Sequence, residues 1–289
     1  VEAAWQGGIR CFDTAPLYGF GLAETRLNRF LRGRPRESYV LATKVGRLLR
    51  AVPRGQGDGA GKWFDVPSRR EAYDYSHDGV LRSLEFSLER LGVDRVDILH
   101  AHDLDVRNHG SPEALDARLR EFVEGGHRAL HELKRQGVIR AIGLGVNEWE
   151  PALWLAERAE LDVILLAGRW TLLEQGAAPL MAACAERGIG VIVGGPYNSG
   201  VLAGRAHYDY GAVPAAVAAR AAALRAACAR HGVPLLHAAF RWPLRHPAVL
   251  SVVPGSQSVA EMAGNLAAAR AEPPEALWRD LAAEGLVRG

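Results

Sequence analysis

Three short apolar runs each end in residues able to do chemistry. Phe12-Asp13-Thr14-Ala15-Pro16-Leu17-Tyr18-Gly19 offers an acid and then a phenol. Val40-Leu41-Ala42-Thr43-Lys44-Val45 offers an amine, and Val96-Asp97-Ile98-Leu99-His100-Ala101-His102 offers imidazoles. A phenol titrates at about 10 in water, too high for proton transfer at neutral pH. A buried ammonium beside it favours the phenolate and lowers that value. A carboxylate holds the ammonium charged and in place, so Tyr18 needs both Lys44 and Asp13. His102 can donate a hydrogen bond to a substrate oxygen and orient it. Together these groups suit proton transfer coupled to hydride transfer at a carbinol or carbonyl carbon, with a cofactor exchanging the hydride.

Parts of the set fit other chemistries. Asp13 alone serves equally well as a helix cap after a strand. His100-Ala101-His102 places two rings on one side of a strand. With Asp13 it could ligate zinc or another divalent ion and activate water for hydrolysis. No further His pair follows at a later strand end, and His231, His237 and His246 fall in helical or loop contexts. Hydrolysis is therefore the remoter reading, no metal is expected, and His100 reads as a hydrogen-bonded interior or substrate-pocket residue. A barrel that merely binds a cofactor would need a broken tetrad, and all four residues are present.

These residues need elements that bring strand ends together. Apolar runs at 9–13, 39–44, 96–100, 139–146, 163–166, 190–193 and 250–253 read as parallel strands buried on both faces. Helical patterns alternate with them at 78–91, 126–136, 151–159 and 178–187; in the first, Leu81, Leu84, Leu88 and Leu91 share a face and Gly92 ends it. Right-handed βαβ units at this spacing predict one domain over 1–289, an (α/β)8 TIM barrel whose first strand precedes Val1. A doubly wound sheet is the alternative, but no Gly-x-Gly-x-x-Gly follows any strand. In a barrel, Asp13, Lys44 and His102 fall at the carboxyl ends of strands, where function resides. Residues 46–76 are rich in Gly and Pro and are expected to be a loop without structure of its own, a substrate lid with Trp63 as a wall. Residues 196–210 form a candidate cofactor clasp.

Composition narrows the partners. The 289 residues are 48% hydrophobic and 24% charged with a formal net charge of +2, and no dense basic stripe points to nucleic acid. No apolar run approaches the roughly 20 residues of a membrane span, and the start is not a signal peptide. Cys11, Cys184 and Cys228 are too widely spaced for a disulfide framework, which fits a reducing cytoplasm. A small molecule is the expected partner; oligomeric state is not readable.

Gly8-Ile9-Arg10-Cys11-Phe12-Asp13-Thr14-Ala15 with Tyr18-Gly19, then Ala42-Thr43-Lys44, Leu91-Gly92-Val93-Asp94 and His102, occur in the order of the aldo-keto reductase signatures. The resemblance continues through Arg140-Ala141-Ile142-Gly143-Leu144-Gly145-Val146-Asn147 to Val253-Pro254-Gly255-Ser256 and Asn265. It implies an (α/β)8 barrel holding an extended nicotinamide cofactor, with Tyr18 as proton donor or acceptor and Asp13, Lys44 and His102 supporting. Cofactor contacts are expected at Asn147, Gly195, Pro196, Asn198, Gly200, Gly255, Ser256, Glu261 and Asn265; Trp63 and His100 are expected substrate contacts, and Trp149 reads as packing with a pocket role.

Departures from the family pattern matter too. Val146-Asn147 stands for the usual Ser-Asn, Ala167 for a glutamine, and Gly194 for the aromatic that stacks on nicotinamide. Gly255 and Glu261 occupy the places of the Lys and Arg of NADP-binding members. A carboxylate repels a 2′-phosphate but accepts hydrogen bonds from a free ribose diol, so NAD is expected before NADP. Residues 165–175 and 282–286 are similar to a bacterial branch of aldose and pyridoxal dehydrogenases. The expected reaction is oxidation of an aldose of the L-fucose (D-threo) type at its anomeric carbon to a lactone. Oxidation of pyridoxal and NADPH-dependent aldehyde reduction are the alternatives.

Overall fold

The computed structural model describes residues 1–57, 59 and 63–288. The chain divides into two compact units, Val1–Val146 with Trp154–Ile164, and Asn147–Leu153 with Leu165–Gly289.

The first unit holds β1 (Cys11–Asp13), β2 (Val40–Val45), β3 (Arg47–Ala51), β4 (Arg69–Tyr73), β5 (Ile98–His102) and β6 (Ala141–Val146). Strands β1, β2, β5 and β6 pair in that order, all parallel. Leu41, Ala42, Leu99, Ala101, Ile142 and Leu144 are buried, as expected where both faces of a parallel sheet are covered. The register sets Asp13 beside Ala42, Lys44 beside His100, and His100 and His102 beside Gly143 and Gly145. The candidate side chains on neighbouring strands are thus brought level.

Helices α1 (Glu2–Gln6), α2 (Leu22–Leu31), α3 (His77–Leu91), α4 (Val106–His109), α5 (Pro112–Glu121) and α6 (His127–Arg135) belong to the same unit. Helix α3 starts where Ser76 Oγ accepts from Gly79 N at 3.1 Å and stops at left-handed Gly92. Its buried stripe is Val80, Leu84, Ser87 and Leu91, while Leu81 and Leu88 are half-buried. The packed face is therefore rotated slightly from the one the leucines mark.

The expectation of a structureless loop over 46–76 is overturned in part. Strands β3 and β4 form an antiparallel ladder from Arg47 opposite Tyr73 to Ala51 opposite Arg69. Arg69-Arg70-Glu71-Ala72-Tyr73 is too polar to read as a buried strand; its side chains pair instead, Arg47 Nε donating to Glu71 Oε2 at 3.0 Å. Between the strands, Trp63 is 38% exposed and Phe64 89%. Gly61, one of the glycines of this stretch, lies outside the described residues.

Strand β7 (Val163–Ala167) and helix α7 (Trp149–Ala156) each cross a boundary between the units. In the second unit, β8 (Gly190–Gly194) pairs in parallel with β9 (Val249–Val253), with one irregularity between Val191 and Ile192. Its helices are α8 (Ala178–Arg187), α9 (Ala215–Arg230), α10 (Leu235–Arg241), α11 (Val259–Arg270) and α12 (Glu275–Ala283). Leu180, Met181, Cys184, Leu224, Cys228, Leu277 and Leu281 form its buried interior, and Trp170 packs on Trp242 at 5.0 Å between ring centroids. All three cysteines are free thiols. Among the described residues no helix is long and apolar enough to cross a membrane.

Candidate active site

The ends of β1, β2 and β5 place Asp13, Lys44, His100 and His102 together, and the turn after β1 adds Tyr18. Lys44 Nζ donates to Asp13 Oδ2 at 2.5 Å and to Thr14 O at 2.8 Å, and lies 5.0 Å from the centre of the Tyr18 ring. The Tyr18 and His102 rings meet edge to face at 6.0 Å. His100 is fully buried with Nε2 3.9 Å from Asp13 Oδ1.

Small residues on β6 make this crowding possible. A Cβ on Gly143 would lie 2.3 Å from His100 Nδ1, and one on Gly145 would lie 3.4 Å from Lys44 Cε. Gly143 is therefore the hollow into which the His100 ring of β5 fits, while Lys44 of β2 passes Gly145 at ordinary contact distance.

Burial dominates the electrostatics. It penalises the Lys44 ammonium, but Asp13 and Tyr18 outweigh it and the pKa rises, so Lys44 stays charged. Burial also raises the Tyr18 pKa, with Lys44 pulling it down and Asp13 and Asp103 pushing it up. The expected net lowering of the phenol does not occur: the ammonium acts in the expected direction, desolvation is larger, and Tyr18 rests protonated. Burial and Lys44 together hold His100 down to about 3, and burial with Lys44, Arg47 and His100 holds His102 well below the ordinary imidazole range. Both rings are neutral at pH 7. His100 was expected to be a hydrogen-bonded interior or substrate-pocket residue; it is interior, with the Leu144 backbone acting on its ring but no close hydrogen bond to either nitrogen among the described residues. Asp13 Oδ1, Thr14 Oγ1 and His102 Nδ1 are buried without one as well.

A second polar cluster abuts the first and escaped the sequence reading. Arg47 at the start of β3 donates through Nη1 to Asp103 Oδ2, and Tyr75 just after β4 donates its hydroxyl to His102 O at 2.6 Å. Asp103 follows His102 directly, which is the one local signal that could have drawn attention to it.

The expected cofactor residues other than the tetrad lie in the second unit. Asn265 Nδ2 donates to Ser256 Oγ at 2.8 Å, while its Oδ1 accepts from Tyr197 Oη at 2.7 Å. Ser256 stands just before α11, whose Ser258 Oγ accepts from Glu261 N at 3.1 Å. Gly255 is exposed, and a Cβ there would meet nothing within 4 Å. Gly195 (φ +57°) and Gly200 (φ +105°) are left-handed, and Pro196 is buried. Asn198 spends its side chain on Thr171 Oγ1 at 2.7 Å and Gly168 O at 3.0 Å. Asn147 Oδ1 accepts from Tyr210 Oη at 3.4 Å, and Trp149 is half-buried. Glu261 is not a lone carboxylate: Arg205 donates to its Oε1, and Gln257 N donates to its Oε2 at 2.7 Å. This donor set, a helix start with a hydroxyl and a buried amide beside an open glycine, fits the phosphate-bearing part of a dinucleotide. Among the described residues, no group of three or more His, Cys, Asp or Glu could hold a metal ion.

Comparison with known proteins gives a consistent result. The profile of the Aldo/keto reductase family matches residues 1–282. The chain is 40% identical over 299 aligned positions to D-threo-aldose 1-dehydrogenase of a Pseudomonas species, covering 99% of this chain and 87% of that protein. It is 38% identical over 304 positions to pyridoxal 4-dehydrogenase of Microbacterium luteolum, again covering 99% and 87%. Among solved structures, an aldo-keto reductase of Bacillus halodurans in its holo form superposes with a TM-score of 0.74 at 24% identity, covering 99% of this chain and 85% of that one. The fold class is thus the α/β barrel expected from the alternation of strands and helices.

Proposed function

The chain belongs to the Aldo/keto reductase family and is an oxidoreductase, and from that premise we propose that it oxidises an aldose at the anomeric carbon to the lactone with NAD. The observation that carries this reading is the buried Asp13–Lys44 pair against Tyr18 and His102. The substrate class is supported by the 40% identity to D-threo-aldose 1-dehydrogenase.

In this reading Tyr18 takes the proton of the anomeric hydroxyl. It must first lose its own, and the charged Lys44 over its ring stabilises the phenolate. Asp13 keeps Lys44 ionised and fixed at the end of β2. Neutral His102 donates a hydrogen bond to the same oxygen and sets its position beside Tyr18. The bound nicotinamide cofactor supplies the hydride acceptor for the C–H bond that breaks as the lactone carbonyl forms. Ser256, Asn265, Gly255 and the start of α11 would hold its phosphates, with Asn147, Gly195, Pro196, Asn198 and Gly200 as further contacts, and Trp63, His100 and Trp149 are the proposed substrate contacts. The preference for NAD rests on Glu261: a 2′-phosphate would have to draw Arg205 away and still face the carboxylate, whereas a ribose diol can donate to it.

Steady-state nicotinamide absorbance with NAD and NADP against L-fucose, other aldoses, pyridoxal and simple aldehydes tests the proposal. Reduction of NAD by an aldose is expected. Oxidation of pyridoxal alone would move the substrate to the second relative's class. NADPH-dependent reduction of aldehydes alone would overturn the dehydrogenase reading.

A further inference from the structure

His102 stands at a junction where the backbone is strained and charge is concentrated. Asp103, the next residue, has φ +57°, a left-handed conformation that is uncommon outside glycine and accumulates at functional sites. Its amide donates to Gly145 O at 2.8 Å, so the conformation is anchored to β6. The consequence is that the carboxylate turns back onto the ring before it, with Oδ2 3.5 Å from His102 Nε2. Arg47, from the hairpin, donates to that same oxygen, and Tyr75, from the hairpin's other end, donates to the His102 carbonyl. Two side chains of one insertion thereby hold the end of β5 at consecutive residues.

A neutral imidazole carries one proton, and its neighbours decide which nitrogen bears it. His102 Nδ1 is buried without a hydrogen-bond partner among the described residues. A buried orphan N–H is rarer than an orphan acceptor, so the proton is disfavoured at Nδ1. At Nε2 it would sit beside a carboxylate. Burial first, and then Lys44, Arg47 and His100, keep the ring from taking a second proton. Burial lifts Asp103 to about 6 against the pull of Arg47, which still leaves it charged at neutral pH.

We propose that Asp103, clamped by Arg47, is a positioning residue that fixes His102 as the Nε2–H tautomer, so that the ring presents a donor to the substrate oxygen. The inference rests on the role given to His102 above, but its first readout needs neither substrate nor turnover. Asn tolerates the left-handed region, so Asp103→Asn removes the charge with little backbone strain.

The ring nitrogens of ¹⁵N-histidine protein can be observed by NMR, with His102→Gln assigning the signal. The wild type is expected to show His102 as neutral Nε2–H. Asp103→Asn is expected to shift it toward Nδ1–H and to lower kcat about 10–100-fold, as loss of an orienting partner does, with the KM for cofactor changing less than about twofold. Arg47→Gln, which leaves the carboxylate but frees it, should move both readouts the same way by less; it carries the test if the Asn variant does not fold. A wild-type Nδ1–H tautomer, or an unchanged Nε2–H signature in the folded variant, overturns the proposal whatever the rate does. A changed tautomer with unchanged kcat, where His102→Gln itself is impaired, overturns it too. If the tautomer shifts as expected but His102→Gln is fully active, the role of His102 fails while the positioning by Asp103 stands.

Discussion

Adjacent residues on β2 serve two buried ion pairs of opposite character. Thr43 Oγ1 donates to Glu24 Oε1 at 2.7 Å and Arg90 Nε donates to Glu24 Oε2 at 2.6 Å, so both oxygens of this fully buried carboxylate are used. Lys44 projects to the other face and holds Asp13 Oδ2, leaving Asp13 Oδ1 and the nitrogens of neighbouring His100 without a close hydrogen-bond partner among the described residues. A saturated pair locks α2 to α3 and β2. An unsaturated one keeps hydrogen-bonding capacity for a ligand, at a cost of about 1–3 kcal/mol for each group left unmet. In the proposed reading the first pair holds the fold and the second serves the chemistry.

The contrast can be broken from either side. Glu24→Ala leaves the Arg90 charge unpaired and should cost about 3–5 kcal/mol in urea unfolding, with kcat little changed in the folded protein. Asp13→Asn likewise leaves the buried Lys44 ammonium without its counter-ion and should cost a comparable amount of stability, but with a fall in kcat of about 100-fold. An equal fall in kcat for the two variants would erase the distinction. Next in size, Gly143→Ala drives a methyl into His100 and should cost about 1–3 kcal/mol by overpacking, together with lower activity.

Acid sharpens the comparison further. His100 is held at about 3 when folded and titrates near 6.5 when unfolded, so between those values the unfolded chain binds the extra proton. The unfolding free energy should therefore fall as pH drops from about 6.5 toward 3, by at most about 1.4 kcal/mol per pH unit from this residue. His100→Gln should remove that contribution, and an unchanged slope would show that His100 is not held neutral. The smallest effect is expected at the Arg205–Glu261 pair, half exposed on one side: Arg205→Gln should change stability by less than about 1 kcal/mol. Measured by steady-state turnover, it should alter the ratio of NAD to NADP efficiency several-fold.

What could be read from the chain alone was what is local. Apolar runs marked β1, β2, β5, β6, β7, β8 and β9, and strand ends marked Asp13, Lys44 and His102. Gly143 stood in a quoted motif, but only the register opposite His100 reveals why glycine is needed there. Long-range polar pairing was hidden. Arg47 and Asp103 are 56 positions apart, as are Arg205 and Glu261, and no periodicity joins them. The hairpin escaped because a polar strand among glycines looks like a loop. The direction of the Tyr18 shift escaped because the depth of burial, which decides it, is a property of the packed chain.

The most direct test of the central claim is Tyr18→Phe, measuring turnover and cofactor affinity on the same protein. Loss of about 10²–10⁴-fold in kcat, with the NAD dissociation constant unchanged in a fluorescence titration, is the expected result. Turnover within about tenfold of the wild type would show that the proton is handled elsewhere and would contradict the account of this site.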